Sequence, residues 1–144
     1  MYLIYGKGRV GNAIAALCRA QNLDFQIADD ADDISDFSSF EAIIPSPGIP
    51  GTHRIYSTGK VISELDFAYQ FLPENFQIVT ITGTDGKSTT TWMAFSILQK
   101  YFFGKKKIYL SGNFEIPFSE TIAEILKNNE KEGIIVLEAS SFML

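Results

Sequence analysis

An α/β fold built on parallel sheets is the class this sequence predicts. Three observations point to it. Short continuous apolar runs alternate with stretches of helical spacing, several of those runs end directly in glycine or proline, and the pattern starts twice within 144 residues. A strand that is apolar on both faces belongs in a parallel sheet covered by helices.

The elements follow in order. "MYLIY" reads as a first strand closed by Gly6. "RVGNAIAALCRAQN" has helical spacing through Val10, Ile14, Leu17 and Cys18. "DFQIAD" is a second strand and "FEAIIP" a third, followed by the Pro/Gly loop "SPGIPG". "KVIS" reads as a short strand and "ELDFAYQFL" as a short helix. After a linker, "LPENF" around Pro73, the pattern restarts. "FQIVTIT" is a strand, "KSTTTWMAFSILQKYF" a helix, "KIYLSG" a strand, and "GIIVLEA" a last strand. Before that last strand, "SETIAEILKNNEKE" reads as a helix with Ser119 at its cap. The expected division is a first α/β domain over 1–73 and a second, incomplete one over 74–144. The chain stops one short segment after a strand, so it reads as the front part of a longer protein. Such a piece is expected to expose apolar sheet surface and to self-associate, whereas the complete protein is expected to be a monomer.

Composition narrows the function. Apolar residues make up 46% and charged residues 20%, which is globular. A net charge of -5 argues against nucleic acid as a partner. No apolar run approaches the ~18 residues of a membrane span, so no membrane insertion is expected. The start lacks the basic region and cleavage site of a signal peptide. The single cysteine, Cys18, excludes an intrachain disulfide, fits a reducing cytosol and reads as a buried helix residue. "GKKK" at 104–107 reads as a solvated turn.

Four stretches carry chemistry. "GKGRVG" places Gly6, Gly8 and Gly11 between a strand and a helix, and Asp29 and Asp30 close the next strand. That combination suits a nucleotide, with phosphate at the helix N-terminus and an acid on a ribose hydroxyl. The plain alternative is a tight turn. "SPGIPG" sits at the carboxyl end of a strand, where ligands bind in open α/β sheets, but it reads equally as a rigid connector. The only histidine, His53, reads as an exposed loop residue.

"GTDGKST" at 83–89 fails the common phosphate-loop template, which needs glycine where Ile81 stands. Its place between strand and helix still suits anion binding by backbone N–H groups. Lys87 can reach terminal phosphates, and Ser88 or Thr89 can bind Mg²⁺. Asp85 is the odd member. Two like charges at 4 Å repel by roughly 4 kcal/mol at a dielectric near 20. Its carboxylate should therefore face away from phosphate, toward solvent or a metal. Finally, "LEASSF" sets Glu138 at the end of the last strand, suited to Mg²⁺ beside a triphosphate or simply an exposed acid.

Taken together these motifs resemble the Mur ligases. "TGTDGKST" matches that family's short ATP loop, TG[ST]xGK[ST]T, and "SPGI" and "SELDFAY" resemble segments of its first domain. "SGNFEIP" is similar to its GGN-x-G-x-P stretch, and "VLEASSFML" to the VLE-x-SSFQL stretch of the D-glutamate-adding branch. The resemblance implies a Rossmann-like UDP-binding domain followed by the start of a P-loop ATPase domain. It implies ATP and Mg²⁺ as cofactors, UDP-N-acetylmuramoyl-L-alanine and D-glutamate as partners, an acyl-phosphate intermediate and a bacterial cytoplasm. Carried onto this chain, Gly83, Thr84, Asp85, Gly86, Lys87, Ser88 and Thr89 would hold ATP. Ser88 and Glu138 would hold the metal, and Lys87, Glu138 and Asn113 would act in catalysis. Gly8, Arg9, Val10, Asp29, Ser46, Pro47, Gly48, Asn113 and Ser140 would bind the UDP substrate. The chain departs from the family with Asp85 for Asn, Met143 for Gln and Val10 for a frequent Thr, and the stretch from Asp30 to Phe40 is short. The competing reading, a nicotinamide-dinucleotide domain of an oxidoreductase, accounts for GxGxxG and Asp29 but leaves the 83–89 loop, Asn113 and Glu138 unexplained.

Overall fold

The computed structural model describes residues 1–112 and 116–140. Two of the residues singled out above, Asn113 and Met143, lie outside the described residues. The chain is α/β, with two three-stranded sheets that are parallel throughout. The first sheet has β1 (Tyr2–Tyr5) at its centre, flanked by β2 (Phe25–Ala28) and β3 (Ala42–Pro45). The second has β6 (Glu132–Glu138) between β4 (Asn75–Ile81) and β5 (Ile108–Gly112). The helices are α1 (Arg9–Ala20), α2 (Glu64–Tyr69), α3 (Lys87–Tyr101) and α4 (Phe118–Lys127), with a 3₁₀ turn at Arg54–Thr58.

Burial follows the apolar pattern closely in some elements. β6 is buried from Gly133 to Glu138, as the central strand of a covered sheet must be. The spacing of α1 presents Ile14, Ala15, Leu17 and Cys18 to the core, all fully buried. Helix α4 does the same with Phe118, Ile122 and Ile125. These two helices pack on each other, so one apolar cluster joins Ile4, Ile44 and Phe67 of the first half to Phe118, Ile122 and Ile135 of the second. Each such side chain contributes about 2 kcal/mol by leaving water. Replacing Ile122 with alanine would cost about 2–5 kcal/mol.

Two elements differ from expectation. "KVIS" forms no strand; Val61 makes a single parallel bridge to Ile43. The chain has no room for more, because Ser63 already caps α2, its Oγ accepting from the Asp66 N–H at 3.0 Å. In α4, Ser119 is not the cap. The helix starts at Phe118 behind Pro117, which supplies no side-chain cap, and Ser119 is buried in the first turn.

Candidate functional site

The two strand–glycine–helix loops lie at the carboxyl ends of the central or edge strands, where ligands bind in open parallel sheets. The second loop connects β4 to α3. Gly83 and Gly86 have φ of 147° and 71°, and Gly86 occupies the N-cap position of α3. A Cβ on Gly86 would meet no atom within 4 Å, so glycine is needed there for backbone sign and not for space. Ser88 and Thr89 are exposed, so the orphan N–H groups of the first turn of α3 lie in a surface segment. Lys87 folds back along it, with Nζ donating to the Gly83 carbonyl at 2.8 Å and the Thr84 carbonyl at 3.2 Å. That posture places the ammonium over the loop that would receive phosphate. Asp85 is exposed, as its charge requires.

Strand register supplies the acid. Glu138 pairs with Ile81 on one side and Gly112 on the other, at the end of the central strand. The Ala139 N–H donates to the Ile81 carbonyl at 3.0 Å, tying β6 to the base of the loop. Glu138 is 2% exposed. The alternative of an exposed acid at a strand end is thereby excluded. The Ser88 hydroxyl donates to Glu138 Oε1 at 3.4 Å, so a helix hydroxyl and a strand carboxylate converge beside the loop. Hard oxygen donors of this kind suit Mg²⁺, which takes one or two carboxylates and completes its shell with phosphate and water. Among the described residues no cluster of three or more His, Cys, Asp or Glu forms a metal cage of its own. Ser140 follows at the same edge and is half-buried.

The first loop, between β1 and α1, is built differently. A Cβ on Gly11 would lie 1.9 Å from the Gly6 carbonyl oxygen, and one on Gly6 2.4 Å from Ser46 Oγ. These glycines let loop, helix and the segment after β3 pack together. Gly8 is the N-cap of α1 and has open space around it. Arg9 is exposed and pairs with Glu120 of α4 at 3.6 Å, while Val10 is half-buried against the core. Asp29 is already engaged: Oδ1 accepts from the Ala31 N–H at 3.0 Å and faces Lys7 Nζ at 3.3 Å. Lys7 also meets Asp32 at 2.7 Å. The Ser46 hydroxyl is buried against Gly6, whereas Pro47 and Gly48 are exposed. A cavity of about 330 Å³ opens beside them, walled by Pro47, Ile49, Tyr56, Val61 and Leu65.

His53 is not the exposed loop residue expected; its side chain is only 18% exposed. Its Nδ1 accepts from the Ile55 N–H at 3.4 Å, which leaves Nε2 as the donor to Asp30 Oδ1 at 3.0 Å. Tyr5, buried at the end of β1, donates its hydroxyl to the same oxygen at 2.8 Å. Burial and this bond to Asp30 push the Tyr5 hydroxyl above the ordinary phenol range, and the Tyr5 bond and nearby His53 hold Asp30 below the carboxylate range. The motif reading missed this trio because its members come from three separate segments. Cys18 is buried, as expected of a helix core residue, and burial pushes its thiol up to about 11, away from the reactive thiolate. The basic turn behaves as a solvated one, Lys106 and Lys107 pairing with Glu132 and Glu130. No helix among the described residues is long and apolar enough to cross a membrane.

Comparisons with known proteins point to one family. Residues 81–144 match the Mur ligase middle domain. The UDP-N-acetylmuramoylalanine–D-glutamate ligase of Aquifex aeolicus (strain VF5) is 34% identical over 150 residues, covering 98% of this chain and 34% of the relative. The ligase of the same name from Hydrogenobaculum sp. (strain Y04AAS1) is 37% identical, covering 98% of this chain and 33% of the relative. That of Natranaerobius thermophilus is 31% identical, covering 99% and 37%. The chain thus spans about a third of the length of the curated relatives it matches. Nothing among them supports the oxidoreductase reading. With residues 81–144 matching the middle domain and the similarity to the ligases running along nearly the whole chain, the chain belongs to the Mur ligase family.

Proposed function

We propose that this chain carries the nucleotide-substrate part and the ATP-phosphate part of a cytoplasmic, ADP-forming ligase of peptidoglycan precursor synthesis. The enzyme joins D-glutamate to UDP-N-acetylmuramoyl-L-alanine. Residues 1–73 form the UDP domain, and residues 74–144 begin the ATP domain. The observation that carries this reading is the convergence of Ser88 Oγ and Glu138 Oε1, 3.4 Å apart, beside the loop that holds Lys87.

In this reading the substrate carboxylate attacks the γ-phosphorus of ATP, and ADP leaves. The amine of D-glutamate then attacks the acyl carbon, and phosphate leaves as the amide forms. The protein's part is placement and neutralisation of charge. The open N–H groups of the 83–89 loop receive the phosphate oxygens. The Lys87 ammonium exchanges its two carbonyl acceptors for phosphate oxygen as charge moves. Ser88 and Glu138 would hold Mg²⁺, which neutralises phosphate charge when bound. Gly8, Arg9, Val10, Asp29, Ser46, Pro47 and Gly48 supply the first sheet's contacts to UDP, and Asn113 and Ser140 the junction of substrate and phosphate. Lys7 must give up Asp29 for that acid to reach the nucleotide.

Calorimetry with UDP-N-acetylmuramoyl-L-alanine tests the proposal, binding being the expected result. Tight NAD binding with no response to the UDP-sugar would sink it. Residues 1–144 alone are expected to make no ligation product, because they span about a third of the relatives' length and the D-glutamate and adenine contacts are expected in the remainder. Product above a no-enzyme blank would contradict that assignment.

A further inference from the structure

Glu64 is a buried acid that lines the cavity beside Pro47 but makes none of the contacts assigned above. It is the first residue of α2 and is 7% exposed. An acid in such a place is costly unless its oxygens are hydrogen-bonded. Its Oε1 accepts two bonds from a residue 55 positions away: the Ser119 N–H and the Ser119 hydroxyl, both at 2.6 Å. Ser119 lies in the first turn of α4, whose own cap position is Pro117 and offers no side-chain acceptor. The orphan N–H of α4 is thus satisfied from α2, across the boundary between the two sheets.

The connection continues inward. Thr121, two residues along α4, donates its hydroxyl to Ser111 Oγ at 2.9 Å. Ser111, Ser119 and Thr121 are all at most 2% exposed. Ser111 is the penultimate residue of β5, and its neighbour Gly112 is in register with Glu138. A buried polar path therefore runs from α2 through α4 to the strand edge that bears the acid. A second polar tie between the halves among the described residues, Arg9 to Glu120, joins side chains 56% and 48% exposed and is worth little for orientation.

We propose that Glu64 is a positioning residue: a clasp on α2 that caps α4 in place of a local cap and fixes the second sheet's carboxyl edge relative to the first sheet. The apolar contact of α1 with α4 resists separation but is non-directional, whereas two bonds on one oxygen set an angle. The clasp itself does not depend on the ligase reading. Only its consequence does: a substrate held by one unit is presented at a fixed angle to phosphate held by the other.

The test needs no ligand, so it fails or succeeds independently of that reading. Residual dipolar couplings on the isotope-labelled chain report the orientation of each sheet. The wild type and Glu64→Gln, which keeps the acceptor oxygen, are expected to fit one alignment tensor. In Glu64→Ala the strands of each sheet should keep their internal couplings but require two tensors. A single tensor in Glu64→Ala, or two in Glu64→Gln, overturns the proposal. Should the alanine variant fail to fold, hydrogen exchange of the wild-type Ser119 amide decides. Protection at the level of the β6 amides is expected, and exchange at the rate of the open Lys87–Thr89 amides would overturn the clasp.

Discussion

The two glycine loops look alike in the sequence and serve different physical ends. In the loop of 6–11, other atoms occupy the space a Cβ on Gly11 or Gly6 would take, and Gly6 also has φ of 124°. In the loop of 83–89, Gly86 is glycine because its backbone is left-handed, and the space around it is empty. One set of glycines lets the protein close on itself; the other leaves open space beside the backbone. The helices behind the loops differ in the same sense. α1 is covered on its apolar face, whereas α3 buries only Thr91 and exposes Trp92, Met93, Ile97 and Tyr101. A glycine motif is therefore informative about ligands only once its contacts are known.

Substitutions can break or sharpen that contrast. The largest effect is expected from Gly11→Ala, whose methyl would sit 1.9 Å from a carbonyl oxygen. A stability loss of about 3 kcal/mol should appear in denaturant unfolding, while Gly8→Ala, with open space, should shift the midpoint little. Equal midpoints for the two would show that the first loop is not packed as described.

Next in size is Lys87→Met. Its ammonium contacts only its own loop, so stability should change by less than ~0.5 kcal/mol. Loss of a charge-assisted bond to phosphate should weaken ATP binding about tenfold or more, read by nucleotide titration of the full-length enzyme. Unchanged affinity with lost stability would reverse the roles of the two loops.

Smaller effects are expected from pH, and they have opposite signs in two places. Burial raises the pKa of Glu64 against the opposing Ser119 bonds. The folded state then keeps that proton to higher pH than the unfolded chain does. Stability from this group is full below the ordinary carboxylate value of about 4.3 and falls as pH rises through the raised value. Hydrogen bonds from Lys7 and the Asp29 N–H lower the pKa of Asp32. Its contribution is present above about 3.9 and is lost as pH falls through the lowered value. Thermal unfolding across pH should show Glu64→Gln flattening the upper side of this window and Asp32→Asn its acid limb. The Asp32 effect should be the smallest, because that side chain is 40% exposed. A Glu64→Gln curve parallel to wild type would mean that this acid does not titrate as its burial dictates.

What the sequence by itself determined is what depends on near neighbours along the chain. The alternation of apolar runs with helical spacing is enough for a parallel α/β fold, since burial on two faces leaves a continuous apolar signature. Glycine, lysine and serine between strand and helix are enough for the candidate phosphate loop, and the strand end is enough to place Glu138 at the same edge. Tertiary structure decided whatever joins distant segments. Ser119 reads locally as a cap, but the cap position falls two residues earlier, at Pro117, and the acceptor arrives from Glu64. "KVIS" reads locally as a strand, but the cap of α2 ends it at one bridge. His53 reads as an exposed loop residue until Tyr5, at the end of β1, and Asp30, in the turn after β2, are brought to it. For Ser119 and His53 the deciding partner lies many residues away, where no local pattern reports it, and for Ser119 burial makes that partner obligatory.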